Sequence, residues 1–573
     1  MAHRIAILGG GVAGMSAAHE LTERGFMVDV YDRHHVYVGG KARSVDVPGT
    51  DQLFADKHLP GEHGFRFFPG FYRHVTDTMA RIPFKHADGR VGTVYDNLTA
   101  TDRVLLARKG RPSLTAIVNF PHSFDDLHVI VTDLTADTGL SDEEIRFFAE
   151  RVWQLMTSCK ERRRDEYERI AWWDFLQADR FSDTYRALLV QGLTRTLVAA
   201  NARSASTKTG GNIFLQLIFN MASPGVHTDR VLNGPTNDVW LGPWRGYLEE
   251  RGVQFHLGQT VEKLTVLDGK IAAATVVDAR GVHHEVHADM YVLAVPVERA
   301  AKLISEDVLE ADPNLACISR LAPSVAWMNG VQYYLNADRQ IVHGHTIYSD
   351  SPWALTSISQ LQFWPGYDIE ERGNGRVKTI LSVDVSDWNT PGSNGKPAKE
   401  CSHEEIRSEV WKQLCDALNT DGATVLSDDM IEYWHIDGDI RAMPHDRESN
   451  EEPLLVNTVR SWDNRPESYT AIENLFLASD YVRTNTDLAT MEAANEAARR
   501  AVNTILERTG SGAAACQVWD LHEPLLLLPL RAIDKRRFDR GLPWRPPMHW
   551  LLEAFISLLD LIKHRLGRTP SHS

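Results

Sequence analysis

The chain has 573 residues, of which 43% are hydrophobic and 24% charged, an ordinary composition for a globular protein with a large core. Its formal net charge of −16 argues against nucleic-acid binding, which requires a basic surface. No uninterrupted apolar run approaches the roughly 18 residues that span a bilayer. No C-x-x-C pair occurs among the five cysteines, so we predict no redox disulfide, no zinc site and a reducing, cytoplasmic location.

The first forty residues predict a strand, a glycine-rich turn, a helix and a second strand. Ile5–Leu8 is an apolar run typical of a buried parallel strand, and residues 9–14 follow with the pattern GxGxxG. In such a turn Gly9 permits the tight bend, Gly11 lets the backbone approach a pyrophosphate, and Gly14 lets helix and strand pack closely. The sequence therefore predicts a dinucleotide-binding βαβ unit.

Two further features complete this half of the predicted site. The free N–H groups at the helix N-terminus, at Val12 and Ala13, would bind phosphate, and Asp32 would accept hydrogen bonds from the adenosine ribose. The pair Gly39–Gly40 favours FAD over NAD, with an ordinary glycine turn as the alternative. A basic side chain beside it, Lys41 or Arg43, can neutralise the pyrophosphate. The predicted contacts here are Gly9, Gly11, Val12, Ala13, Gly14, Asp32, Arg33, Gly39, Gly40, Lys41, Ala42 and Arg43.

This order of motifs resembles the flavin-containing amine oxidase and phytoene desaturase superfamily, and the carotenoid desaturases in particular. Residues 61–72 (GEHGFRFFPGFY) are similar to the segment that runs beside the isoalloxazine in plant-type desaturases, although His63 and Pro69 depart from that pattern. Hydroxysqualene dehydroxylases are relatives in the same superfamily. The resemblance implies that the cofactor is FAD and that Gly64, Phe65 and Arg66 contact it.

The resemblance implies further FAD contacts late in the chain. Val261 matches the position whose backbone touches the adenine, and Asp480 matches a ribityl-binding acid, although Ser479 stands where relatives usually have glycine. Thr490 and Met491 open a predicted helix whose N–H groups would face the flavin N1/O2 edge, where negative charge develops on reduction.

The implied fold is α/β, with a discontinuous Rossmann-like FAD-binding domain, an inserted α+β substrate domain and a helical C-terminal extension. We assign residues 1–100, 230–310 and 455–505 to the first domain, 101–229 and 311–454 to the second, and 506–573 to the extension. Asp268–Gly269 predicts a hairpin turn. We interpret the charged run at residues 162–166 as a solvent-exposed helix face.

The extension ends in a predicted amphipathic helix from about Met548 to Leu566. Its apolar face could lie in a membrane interface, dock on the core of the enzyme or form a homodimer contact. These alternatives stay open, so the predicted location is cytoplasmic, with membrane association through this helix as an alternative.

The predicted chemistry is hydride transfer to flavin N5, which needs few acid–base residues when the substrate is a hydrocarbon. His63 and Arg66 are the first candidates for catalytic residues because their segment should line the flavin. Arg230 is the third, since it lies in a segment similar to an arginine-containing region of the desaturases. A structural role is the alternative for each. The 24 histidines show no convincing metal-ligand spacing, so we predict no metal site.

The leading hypothesis is an FAD-dependent enzyme that dehydrogenates a long apolar, isoprenoid-type small molecule. One alternative is an amine oxidase that uses oxygen, with Trp327, Trp353, Trp364 or Trp388 as candidates for an aromatic cage. Another is a flavin-bearing lipid-binding protein without turnover. A nicotinamide-dependent reductase is disfavoured, because no second GxGxxG is found.

Overall fold

The structure is a computed structural model that describes residues 3–546 apart from 55, 65, 87, 120–137, 193–200, 421 and 444–446. Its strands, in chain order, are β1 (Arg4–Leu8), β2 (Met27–Asp32), β3 (Ser44–Asp46), β4 (Pro60–Glu62), β5 (Pro83–Lys85), β6 (Val91–Thr93), β7 (Leu98–Ala100), β8 (Arg103–Arg108), β9 (Arg111–Ile117), β10 (Arg230–Leu232), β11 (Gln254–Leu257), β12 (Thr260–Leu267), β13 (Lys270–Val277), β14 (His283–Val286), β15 (Met290–Leu293), β16 (Val325–Ala326), β17 (Asn329–Leu335), β18 (Gly344–Tyr348), β19 (Leu355–Ser359), β20 (Thr379–Val385), β21 (Ile431–Ile436), β22 (Ile440–Met443), β23 (Arg447–Asn450), β24 (Leu454–Leu455) and β25 (Leu475–Leu477).

The α-helices of the described ranges are numbered in the same way. They are α1 (Val12–Thr22), α2 (His74–Ala80), α3 (Asp142–Thr157), α4 (Lys160–Asp165), α5 (Trp172–Phe175), α6 (Asp183–Tyr185), α7 (Thr207–Met221), α8 (Gly242–Glu250), α9 (Val297–Leu303), α10 (Glu306–Ala311), α11 (Ala316–Leu321), α12 (His403–Leu418), α13 (Met491–Thr509) and α14 (Leu528–Phe538).

A five-stranded parallel sheet forms the first layer of the structure. Its strand order is β11-β2-β1-β15-β25, and each neighbouring pair is parallel. The apolar residues of β1 are buried between helices on one side and the β12–β14 layer on the other. Helices α1 and α13 pack together on one face, although their first residues, Val12 and Met491, are 479 positions apart in the chain. This topology confirms the predicted Rossmann-like α/β fold class.

The hairpin between β12 and β13 forms at the predicted turn. Leu267 lies opposite Lys270, and the two residues between them, Asp268 and Gly269, have φ angles of 49° and 73°. Two successive positive φ angles are those of a type I′ turn, which matches the twist of the flanking strands.

A seven-stranded sheet forms the second layer, in the order β21-β17-β20-β19-β18-β8-β9. One face is apolar and is covered by α12, where the rings of Tyr333 and Trp411 lie 4.8 Å apart. The other face carries polar side chains and lies against β4, whose Glu62 N–H donates to Gln332 Oε1 at 2.8 Å. This polar face therefore points back toward the glycine-rich segments of the first layer.

The interpretation of residues 162–166 as a solvent-exposed face is wrong for its first two arginines. Arg162 is fully buried, and its Nε lies 3.0 Å from both carboxylate oxygens of Asp534. Arg163 is also buried and forms an ion pair with Glu523. The reason is tertiary: the C-terminal extension packs over this helix and supplies the carboxylates that balance the buried charges.

The described part of the extension contains α14, preceded by Leu525 and Leu526, which are 80% and 86% exposed. The predicted helix at residues 548–566 lies outside the described residues, so membrane contact and a homodimer stay predictions. Of the helices in the described ranges, none is long and apolar enough to cross a membrane.

Candidate functional site

In the glycine-rich turn between β1 and α1, two glycines have no room for a side chain, whereas the third has open space beside it. Gly9 has φ 117°, and a Cβ there would lie 2.6 Å from the carbonyl oxygen of Ala294. A Cβ at Gly14 would lie 1.9 Å from the carbonyl oxygen of Gly9. At Gly11 a Cβ would meet only the Cα of Gly40, at 3.9 Å. Gly9 and Gly14 are therefore needed by the fold, whereas Gly11 leaves backbone accessible to a ligand.

Asp32 holds this turn through both carboxylate oxygens. Oδ2 accepts from the backbone N–H of Gly10 at 2.6 Å, and Oδ1 accepts from that of His34 at 2.8 Å. The side chain also lines the cavity described below, so its contact with a ribose stays a prediction.

The second glycine pair lies directly against the first turn. The N–H of Gly39 donates to the carbonyl of Gly10 at 2.8 Å, and Gly39 and Gly40 have φ angles of 100° and 54°. Lys41, next along the chain, reaches the carbonyl of Pro453. The two predicted glycine segments thus form one continuous wall.

A cavity of about 360 Å³ lies between the two layers and joins both ends of the chain. Most of the predicted cofactor contacts line it: Gly9, Gly11, Val12, Ala13, Asp32, Arg33, Gly39, Gly40, Lys41, Ala42, Gly64, Arg66, Val261, Asp480, Thr490 and Met491. The N-termini of α1 and α13 both open onto it, so unpaired backbone N–H groups and two positive dipole ends face the same space. A cavity onto which two helix N-termini open fits FAD, whose pyrophosphate and flavin both favour such donors.

Two of the predicted contacts, Gly14 and Arg43, do not line the cavity. Gly14 lies inside α1, where its role is the close packing described above. The guanidinium of Arg43 turns to Asp439, to which it donates at 3.1 and 3.0 Å, so the pyrophosphate contact predicted for Arg43 lacks a geometric basis. Phe65 lies outside the described residues.

His63 lines the cavity and is the centre of a charged cluster. Its Nδ1 forms an ion pair with Asp437 and lies 3.4 Å from Asp439 Oδ2. Burial opposes the charged form, but attraction to the two carboxylates outweighs it and raises the pKa of His63 to about 9. His63 Nδ1 and one carboxylate oxygen each of Asp437 and Asp439 lie within 4.8 Å of one another, a spacing that could hold a metal ion. Because Arg43 already forms an ion pair with Asp439, ion pairs account for the arrangement.

Arg66 also lines the cavity, and its guanidinium fixes the backbone after the glycine pair. Nε donates to the carbonyl of Ala42 at 3.1 Å, and Nη2 donates to that of Lys41 at 2.9 Å. Glu62 balances the charge at 3.8 Å. A direct catalytic role for Arg66 stays a prediction, since the hydrogen bonds of its guanidinium are made to backbone carbonyls of the cavity wall.

Arg230 does not line the cavity. Its Nε and Nη2 donate to the carbonyls of Phe68 and Pro69 at 3.2 and 3.1 Å, and Nη1 donates to the hydroxyl of Tyr95 at 3.2 Å. These contacts hold the segment that follows His63 and Arg66. The structure therefore gives Arg230 a supporting position and no contact with the cavity.

The cavity is also lined by residues that the sequence did not identify as cofactor contacts, among them Phe67, Met328, Asp384 and Leu454. Asp384 is buried, and burial raises its pKa to about 7, against the opposing attraction of Arg66 and His63. It is the one acid in the strand Thr379–Val385, otherwise a largely apolar run, and that pattern was the signal that could have identified it.

The four tryptophans considered for an aromatic cage do not line the cavity. Trp353, Trp364 and Trp388 are buried in the hydrophobic clusters of the second layer, and Trp327 packs edge-on against Trp388 with ring centroids 5.2 Å apart. An aromatic cage built from these residues is therefore wrong.

A parallel sheet with two half-sites meeting at one cavity defines the class of a dinucleotide-binding flavoprotein. A model of the family described as flavin containing amine oxidoreductase matches residues 12–506, and the chain belongs to this family. It is accordingly an FAD-dependent oxidoreductase, as the sequence predicts.

Individual relatives are distant. The chain is 22% identical over 555 residues to the zeta-carotene desaturase, chloroplastic/chromoplastic, of Arabidopsis thaliana, a match that covers 88% of this chain and 85% of that protein. Among solved structures, putrescine oxidase bound to putrescine is 12% identical with a TM-score of 0.58, over 88% of this chain and 99% of that one. Cyclohexylamine oxidase from Brevibacterium oxydans is 13% identical with a TM-score of 0.55, over 89% and 100%. At these identities the structural likenesses show the fold.

Proposed function

We propose that this oxidoreductase dehydrogenates a long apolar small molecule of the isoprenoid type. The observation that carries the proposal is a set of apolar side chains in the cavity wall, Phe67, Met328, Leu454 and Leu488. Such a wall takes up a hydrocarbon and excludes water. The distant likeness to a carotene desaturase supports the same substrate class.

FAD, when bound, supplies a two-electron acceptor for a hydride. The residues of the chain would supply the rest of the site. The N-terminus of α13, at Thr490 and Met491, offers N–H groups and a positive dipole end to negative charge that develops on reduction. Phe67 and Met328 would hold the apolar chain and keep water away from the reacting carbon.

Oxidation of an amine is the second candidate, and one observation favours it: a buried carboxylate, Asp384, faces the cavity and could pair with an ammonium group. The positions of the four tryptophans count against it, because none of the four lines the cavity and they cannot form the aromatic cage expected for such a site. A lipid-binding protein without turnover is the remaining alternative, to which membership of an oxidoreductase family gives no support.

The test is anaerobic reduction of the bound flavin, followed by absorbance. Purified holoenzyme is mixed with squalene- or carotene-type lipids in detergent and, separately, with aliphatic amines. Bleaching by the lipids with no bleaching by amines is the expected result. The reverse outcome would establish amine oxidation instead, and an oxidised spectrum with both substrates would overturn the proposal.

A matched pair of variants separates the apolar wall from general effects. Met328→Lys places a charge in the cavity wall and should retain FAD while slowing reduction by lipid, because a buried ammonium disfavours a hydrocarbon neighbour. Leu267→Lys makes the same change of an apolar residue to lysine at a hairpin position that is 64% exposed, and it should leave the rate unaltered. Equal rates in the two variants would contradict an apolar substrate bound at this wall.

A further inference from the structure

The polar face of the seven-stranded sheet lies toward the cavity and carries an unusual pair of side chains. Asp384 of β20 is directly opposite Thr356 of β19, and on its other side it is opposite Gly330 of β17. Directly opposed residues in an antiparallel pair project from the same face. Asp384 and Thr356 therefore lie side by side on the face that closes the cavity.

These two side chains lack the hydrogen bonds that buried polar groups normally make. Asp384 and Thr356 are 7% and 5% exposed, and neither Asp384 Oδ1 nor Thr356 Oγ1 has a hydrogen-bond partner among the described residues. Their neighbours on the same face differ, since Gln332 Nε2 donates to Ser382 Oγ at 2.9 Å. A buried carboxylate with an unsatisfied oxygen costs stability, and such groups are characteristic of functional sites.

Two glycines allow the carboxylate to reach the cavity. A Cβ at Gly64 would lie 2.7 Å from Asp384 Oδ1, and a Cβ at Gly330 would lie 2.9 Å from the carbonyl oxygen of His63. The N–H of Gly330 donates to that same carbonyl at 2.8 Å. The backbone of residues 63–64 therefore packs directly against the backbone of β17 at Gly330. The Asp384 side chain lies beside Gly64 and forms part of the cavity wall.

We propose that Asp384 is a catalytic base that accepts a proton from the apolar substrate, an inference that rests on the proposed dehydrogenation. One C–H bond of the substrate breaks and its hydrogen leaves with the electron pair, which reduces FAD by two electrons. The C–H bond on the neighbouring carbon also breaks, and its electron pair becomes the second bond of the new C=C. The proton released there goes to the Asp384 carboxylate, so the substrate is oxidised by two electrons and all atoms are accounted for.

The charges around Asp384 suit a base that works near neutral pH. Burial raises its pKa to about 7, while Arg66, His63 and His345 lower it and Asp437 raises it further. Glu62 partly balances Arg66. Because the carboxylate must be ionised to accept a proton, the rate of flavin reduction should increase with pH through this range.

The test compares three variants of the holoenzyme in anaerobic stopped-flow reduction by a carotene-type lipid. Asp384→Asn should slow flavin reduction by about 100-fold or more and abolish the increase with pH, because the amide cannot accept the proton. Asp384→Glu should recover part of the rate. Ser386→Ala, which removes a buried hydroxyl two residues along the chain and outside the cavity wall, should leave both rate and pH profile unchanged.

A second readout needs no substrate. Since the pKa of Asp384 is raised in the folded chain, ionisation of this group destabilises the fold as the pH increases from about 4 to about 7. Asp384→Asn should therefore raise Tm at pH 8 relative to the unaltered chain, and the difference should shrink toward pH 5. Tm differences that do not depend on pH would overturn the assignment of a neutral-pH carboxyl to this position.

A wrong substrate class and a wrong role for Asp384 give different experimental results. If lipid does not reduce the flavin of the unaltered enzyme, the proposed function is wrong and the role of Asp384 falls with it. If lipid reduces the unaltered enzyme and Asp384→Asn at equal rates, the dehydrogenation stands and Asp384 is not the base.

Discussion

Glu492 Oε1 lies 2.7 Å from His74 Nδ1, and both side chains are buried. The N–H of Trp519 donates to His74 Nε2 at 2.9 Å, so Nδ1 carries the ring hydrogen and donates to the carboxylate. Glu492 also accepts from the backbone N–H groups of Arg73, His74 and Val75 at 2.8–2.9 Å. A residue in the first turn of α13 thereby caps α2 and links the C-terminal half-site to the segment after residues 61–72.

Replacement of Glu492 by alanine should destabilise the fold by about 3–5 kcal/mol, because four donors lose one buried acceptor group. Glu492→Gln, which keeps one carbonyl oxygen, should cost less. Glu507→Ala, an exposed change on the same helix, is the control and should have little effect. Urea denaturation of the apoprotein measures all three, and a cost for Glu492→Ala equal to that of the control would contradict the capping role.

The two glycines of the first turn should respond differently to alanine. Gly14→Ala forces a Cβ to within 1.9 Å of a carbonyl oxygen and should destabilise the apoprotein by about 1–3 kcal/mol or more. Gly11→Ala has room and an extended backbone, with φ −70° and ψ −178°, so the apoprotein should remain folded. Its affinity for FAD should nevertheless fall about 10-fold or more, since the Cβ occupies the surface that the pyrophosphate approaches.

Thermal denaturation of the apoproteins and fluorescence titration with FAD distinguish these outcomes. Normal FAD affinity in Gly11→Ala would show that the pyrophosphate does not lie on this turn.

The ion pairs of His63 should make stability depend on pH. The pKa of this histidine is about 9 in the folded chain against an ordinary value of 6.5, so the stabilisation is fully present below pH 6.5 and is lost as the pH rises through 9. His63→Gln should lower the free energy of unfolding by up to about 3 kcal/mol at pH 6, and the deficit should vanish by pH 10.

The matched control is His283→Gln. His283 lies 2.9 Å from Glu262 in a pair that is largely exposed to solvent, and such pairs contribute little. Its effect should be small at every pH. A deficit in His63→Gln that is constant between pH 6 and pH 10 would show that His63 is neutral in the fold.

In the buried pair of Lys208 and Asp487, replacement of the aspartate should destabilise the fold more than replacement of the lysine. Asp487 forms ion pairs with both Lys208 and Arg465, and its backbone has φ 48° just before Leu488, which lines the cavity. Asp487→Asn keeps a residue that tolerates this backbone conformation but leaves two buried cations, so it should cost about 3–5 kcal/mol. Lys208→Met leaves Asp487 paired with Arg465 and should cost less.

Denaturation curves and FAD titrations of both variants test this asymmetry. If Lys208→Met is the more destabilising change, Arg465 alone does not balance the charge of the Asp487 carboxylate, and the proposed ion pairing of Asp487 is incorrect.

Much of the cofactor site could be read from the sequence, because its determinants are local. Gly9, Gly11 and Gly14 act within one turn, and Asp32 binds the N–H of Gly10 only 22 residues away. The half-sites could be recognised separately for the same reason, since each is a strand followed by a turn and a helix. The turn at Asp268–Gly269 is equally local and forms as predicted.

Residues whose surroundings come from distant segments could not be placed in this way. Arg162 has the sequence pattern of an exposed helix, but Asp534, 372 residues further on, covers it. Arg43 was predicted to face phosphate, but Asp439, 396 residues away, takes its guanidinium. The pattern of charges along a segment does not predict which distant carboxylate will pair with a given arginine in the folded chain.

The sequence by itself determined the class of cofactor and the positions of the glycines that hold it, since backbone conformation and helix N-termini follow from neighbouring residues. Only the tertiary structure decided what faces the cofactor. Asp384 reaches the cavity because Gly64 and Gly330, 266 residues apart, leave space for it, while α12 covers the opposite, apolar face of the sheet. Contacts of this kind depend on packing between layers, which no local pattern of residue types specifies.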